Sequence, residues 1–135
     1  MAARDPALPL QKALVAALKG AGVCNGRVYS PVPKEALFPY CVVGDDVFAQ
    51  DNNGCWDQTE ATVQVHIWDR GEHDAPGLVQ AKGEVAKVRV ALDVPLALDD
   101  DFEVVFHEWD GTLYPTDPDG LTVHGVVTFS YLIKH

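Results

Sequence analysis

Near the C-terminus, apolar and polar side chains alternate with a period of two: Val123, Gly125, Val127, Phe129, Tyr131 and Ile133 on one face, Thr122, His124, Thr128 and Ser130 on the other. Successive side chains of a strand point to opposite faces, so this pattern predicts a β-strand with one face in a core and one outside. A second segment repeats it, with Ala61, Val63, Val65 and Ile67 set against Thr62, Gln64, His66 and Trp68. Two half-buried strands must be covered on their apolar face by another layer.

Two segments supply that layer. Leu10, Leu14 and Leu18, with Ala13 and Ala17 beside them, recur at helical spacing behind Asp5-Pro6, a plausible cap and first-turn proline. Leu78, Ala81, Val85, Val88 and Leu92 mark the stripe of a second helix, with Asp74 as its cap and Pro76 in its first turn. Between the first helix and Pro39, the stretch Val28-Tyr29-Ser30-Pro31-Val32-Pro33 is held extended by its proline rings. A short strand over Pro39–Gly44 follows, then Asp45–Gln58, rich in Asp, Asn, Gly and Gln, which reads as a long surface loop or a hairpin extension. Phe102, Val104 and Phe106, alternating with Glu103, Val105 and His107, predict a further strand, and Asp117-Pro118-Asp119-Gly120 a tight turn into the last one. The expected fold is α+β: a mostly antiparallel sheet of about four to five strands, two helices packed on one face, and a long loop after the first main strand.

At 135 residues the chain has material for one core, so residues 1–135 are read as a single domain. Twenty acidic against 10 basic residues give a formal charge of -10, which disfavours phosphate binding through clustered Lys and Arg. No apolar run approaches the roughly 20 residues a bilayer crossing needs, and the N-terminus lacks a signal-peptide pattern, so no membrane role is expected and the chain is read as made and kept in the cytoplasm. Cys24, Cys41 and Cys55 form no C-x-x-C pair and read as reduced thiols.

Motifs with a catalytic mechanism are missing: there is no phosphate-binding loop, no G-x-S-x-G elbow and no H-E-x-x-H. His66, His107 and His124 all fall on the outward phase of their predicted strands, where three imidazoles could hold zinc, though no fixed spacing supports ligation. The Asp117/Asp119 pair lacks the further oxygen ligands of a calcium loop, because Leu121 stands at the third required position. Trp56, Trp68 and Trp109, on loop or outward positions, are either a second small cluster or interface anchors.

Four blocks in order then resemble the tail-completion family of long-tailed phages, also called tail-to-head joining or tail terminator proteins and related to domains of prophages and gene transfer agents. They are Leu10-Gln11-Lys12-Ala13-Leu14; Gly26-Arg27-Val28-Tyr29-Ser30-Pro31-Val32-Pro33 leading to Phe38-Pro39-Tyr40-Cys41-Val42-Val43-Gly44-Asp45; Val65-His66-Ile67-Trp68-Asp69-Arg70; and Asp117-Pro118-Asp119-Gly120-Leu121-Thr122-Val123-His124-Gly125. The resemblance implies a structural virion protein at the tail-neck junction, without cofactor or catalytic centre. As a homohexameric ring it would cap the tail tube protein, stop its polymerisation and join it to the head connector or stopper, with DNA passing through unbound. Asp46, Phe48, Trp56, Trp68 and Trp109 are the candidate contacts to neighbouring subunits or the tube. The surplus acid then has two readings, a bore that repels phosphate or simple solubility. The rival readings are a head-closure or other neck or minor tail protein, and a small metal-dependent enzyme using His66, His107 and His124.

Overall fold

The computed structural model describes residues 5–52, 57–70, 77–115 and 117–135. The chain begins with α1 (Ala7–Gly20), whose Leu10, Leu14 and Leu18 are buried as the spacing predicts, and whose Ala7 amide donates to Asp5 Oδ1 at 2.9 Å. Gly22, at φ 71°, ends the helix in a left-handed residue and leads into a 3-10 turn over Val23–Gly26. Five strands follow: β1 (Val28–Tyr29), β2 (Tyr40–Gln50), β3 (Gln58–Arg70), then after α2 (Gly77–Leu92) β4 (Glu103–Leu113) and β5 (Thr122–Lys134). Their order across the sheet is β1-β2-β3-β5-β4, antiparallel except for the short parallel pairing of β1 with β2.

The two strictly alternating segments are the sheet's centre. β3 and β5 pair without interruption from Gln58↔Lys134 to Arg70↔Thr122, and Ala61, Val63, Val65, Ile67, Val127, Phe129, Tyr131 and Ile133 are all buried on one face. Ala81, Val85, Val88 and Leu92 of α2 close over them, while α1 lies over the β1–β2 side. Each large side chain buried there contributes about 1.5–3 kcal/mol by removing apolar area from water. The Tyr131 hydroxyl, deep in the core, donates to Leu92 O at 3.1 Å and so satisfies a carbonyl at the end of α2. At Gly125 the layer approaches closely: a Cβ there would lie 3.0 Å from Val85 Cγ2 and 3.2 Å from Tyr114 Cε1. Both helices thus cover the same face, and among the described residues no layer covers the other face of the sheet.

Four local expectations need revision. The polar segment after Gly44 is, through Gln50, the hairpin extension rather than a loop: β2 continues past a bulge between Gly44 and Val47, where Asp45 sits at φ 55°, and pairs with β3 down to Gln50↔Thr59. Leu78 is exposed rather than part of the α2 stripe, because it lies in the first turn before the helix reaches the sheet. Phe106 is exposed because β4 bulges between Val104 and Phe106; the extra residue inverts the phase as far as Trp109, where a second bulge before Gly111 restores it. His107 is thereby carried to the helix face, opposite Tyr131, rather than outward. The Asp74 cap and Pro76 lie outside the described residues. No helix among the described residues is long and apolar enough to cross a membrane.

Candidate functional site

On the uncovered face, the uninterrupted β3–β5 register decides which side chains meet. His66 pairs across from Val126, and Trp68 from His124, so the two imidazoles lie on a diagonal. His66 Nδ1 and His124 Nε2 are 2.8 Å apart, one ring nitrogen donating to the other. Trp68 stacks flat on His124, with centroids 3.7 Å apart and planes 11° from parallel. At the other end His66 Nε2 lies 3.0 Å from Asp45 Oδ2, close enough for attraction but poorly directed for a hydrogen bond. The β2 bulge is what turns Asp45 toward this row.

Burial pulls His124 below the ordinary histidine value, and the neighbouring His66 adds to the effect; Asp117 and Asp45 oppose it. Burial, followed by the charge of Asp45, raises the Asp46 carboxyl, whose Oδ1 is enclosed with no hydrogen-bond partner among the described residues. The row is therefore an aromatic and imidazole surface with a carboxylate at its rim. It suits contact with a protein surface; it has no nucleophile and no enclosed cleft.

The three histidines read as a possible zinc set do not assemble. His107, displaced to the helix face by the bulge, lies 3.2 Å from Asp93 Oδ1 near the end of α2. Among the described residues no three of His, Cys, Asp and Glu converge as metal ligands.

The five positions expected at an interface are spread over the molecule. Trp68 is on the uncovered face. Phe48 pairs with Ala61 and is half-buried against the core, and Asp46 occupies the β2 bulge. Trp109 faces the helix side, where the Arg89 guanidinium sits 3.5 Å above its ring and its indole N–H donates to Thr112 Oγ1 at 3.1 Å. Trp56 lies outside the described residues. The turn at Asp117, Pro118, Asp119 and Gly120 is closed by its own carboxylates. Asp117 Oδ1 accepts from Asp119 N at 3.0 Å; Asp119 Oδ1 accepts from Leu121 N at 2.7 Å and Thr122 N at 2.8 Å; and Thr122 Oγ1 donates to Asp119 Oδ2 at 2.6 Å. The bonds from Thr122 hold Asp119 well below the usual carboxylate range. These oxygens are committed to the turn rather than to a cation.

Sequence reasoning missed the Asp45–His66–His124–Trp68 row. The two histidines and the tryptophan share an outward phase in the sequence, but the β3–β5 register that brings them into contact is set only by the paired strands.

Comparison with known proteins gives a consistent picture. The family described as "Tail completion protein gp17" matches residues 9–134. A chain in a structure described as "Virion of native gene transfer agent (GTA) particle" superimposes with a TM-score of 0.83 at 17% identity, covering 98% of this chain and 100% of that one. The gp17 protein of bacteriophage SPP1 superimposes with a TM-score of 0.55 at 24% identity, over 92% of this chain and 88% of that one. No curated protein matches in sequence.

Proposed function

Because this chain belongs to the tail-completion protein family, matched over residues 9–134, we propose that it completes a phage-type tail as a ring-forming terminator that caps the tail tube and joins it to the head. Membership of this family makes it a structural protein of a tailed virion or virus-like particle, not an enzyme.

A terminator must bind the end of the tube better than the next tube subunit does and leave no equivalent end behind. Contacts between unlike surfaces that close into a ring achieve both, since closure ends lateral growth and a dissimilar upper face ends axial growth. The observation that carries this reading is the one-sided packing of the sheet: both helices cover one face, and the other, with Trp68, His124 and the exposed Phe106 and Leu113, has no layer over it among the described residues. Such a face fits a molecule that is completed by neighbours. We read residues 1–135 as one tail-terminator-like domain, the ring as a homohexamer, the tube protein and the head connector or stopper as its axial partners, and DNA as passing through without specific binding. Asp46, Phe48, Trp56, Trp68 and Trp109 remain the proposed contact positions, with Trp68 the best placed, since it lies flat on the open face.

Deleting the gene tests the reading. Electron microscopy of the resulting particles should show overlong tubes and heads without attached tails, both restored by complementation. Tails of normal length joined to heads would refute it.

A further inference from the structure

The charge is segregated. The two helices carry Lys12, Lys19, Lys82, Lys87 and Arg89 against a single acid, Glu84, leaving 5 basic and 19 acidic residues for the rest of the chain. Copies of a protein with a formal charge of -10 repel one another, so self-association favours any contact that sets the basic layer of one copy against an acidic surface of the next.

Two such surfaces lie at opposite ends of the sheet. At the β1 side, α1 presents Leu8, Lys12 and Lys19, all exposed, with the half-buried Val15 between them, a stripe at helical spacing with apolar and basic side chains interleaved; Leu8 is 63% exposed. No acidic side chain stands on α1. At the other end, β4 is the outermost strand, pairing with β5 along its length and with Ala97 through one bridge at Glu103. With bulges after Val104 and after Trp109, Glu103, Phe106, Glu108 and Leu113 stand together on its uncovered face, opposite Lys134, Leu132, Ser130 and Val126 respectively. Phe106 is 53% and Leu113 65% exposed, so apolar and acidic side chains interleave here as apolar and basic ones do on α1.

The stripe lies on the helix side of one end and the acidic patch on the opposite side of the other. Copies can therefore overlap like shingles, each laying the back of β4 on the front of the next copy's α1. We propose that this is the lateral contact of the ring: the Glu103, Phe106, Glu108 and Leu113 face of one copy seated on the Leu8, Lys12, Val15 and Lys19 stripe of the next. The contact joins unlike surfaces, so it propagates in one direction and closes only when the rotation per copy divides a full turn. It rests on the terminator reading above and adds the surfaces by which the ring would close.

Charge reversal separates this contact from other modes of association. Lys12→Glu with Lys19→Glu, and Glu103→Lys with Glu108→Lys, all alter exposed side chains and should leave circular dichroism unchanged. Sedimentation at physiological salt up to about 100 μM should show the wild type associating and each double variant associating at least tenfold more weakly. An equimolar mixture of the two variants should recover association, because the reversed stripe of one then meets the reversed strand of the other. Variants that associate as the wild type does, or a mixture that stays as weak as its parts, would overturn the contact while leaving a ring built on other surfaces standing. A wild type that is monomeric throughout the range would also overturn it. The ring itself is judged separately, by the tails of the deletion particles.

Discussion

Glu84 offers the sharpest test of how the helix layer is locked to the rest of the chain. Its carboxylate is nearly enclosed on α2, yet it reaches across to accept the Cys24 backbone N–H at 2.7 Å, and its other oxygen meets Lys87 Nζ at 3.1 Å. Cys24 sits at φ 50° in the 3-10 turn, a conformation that costs an L-residue energy and persists only when its surroundings hold it. Replacing Glu84 by Ala removes a charge-assisted bond and leaves a buried N–H with no acceptor, a loss of about 2–3 kcal/mol. The Lys87 pair adds little, since Lys87 is nearly half exposed and such pairs are worth about 0–1 kcal/mol. Glu84→Gln keeps an acceptor and should cost about 1 kcal/mol, and Lys87→Ala less. For a urea slope of about 1–3 kcal/mol/M, the Ala variant's midpoint should fall by about 0.7–3 M. Equilibrium urea unfolding by circular dichroism reads all three. A Glu84→Ala midpoint no lower than that of Lys87→Ala would refute the proposed lock.

Three further outcomes follow from the packing and the buried titratable groups. Gly125→Ala should destabilise by about 1–3 kcal/mol, because its Cβ meets Val85 at 3.0 Å in a close-packed layer; thermal unfolding measures this. His124 has a folded-state value below its unfolded one, so its contribution is complete above the ordinary histidine value of about 6.5 and is lost as pH falls below it. His124→Gln should therefore show a smaller drop in Tm between pH 8 and pH 5 than the wild type. Burial pushes the Cys24 thiol up to about 12 and raises Cys41 as well, so a thiol reagent at neutral pH should label at most one of the three cysteines before denaturation and all three after.

The architecture was legible where one face of an element is buried along its whole length. Leu10, Leu14 and Leu18 on α1, the β3 and β5 alternations, and Ala81 through Leu92 on α2 announce their inward faces because water is excluded from every second, or every third and fourth, position. β4 was legible only as far as Val104. A bulge is a property of a strand pair, and nothing in the run from Phe102 to His107 says that Val105 will be skipped by β5. That one residue undid the expected histidine trio. The Asp45–Gln50 extension was obscured differently: β1 accompanies β2 only at Cys41 and Val42, so the rest of β2 is an edge, and an edge with one side in water tolerates the Asp and Gly content that elsewhere marks a loop. The Trp68–His124 stack was hidden for the same reason as the bulge, since it depends on register.

The skipped residue in β4 divides a single strand into two independent jobs. Up to Val104 the strand is anchored by Phe102 and Val104 in the interior; beyond it, the side chains that meet the outside world are selected by length rather than by kind. Were Val105 paired with β5 instead of skipped, Phe106 would turn inward and His107 outward without altering any anchor below. A scaffold of this sort can present a different rim to a new neighbour through a change of one residue in strand pairing, while the anchors before the bulge stay in place.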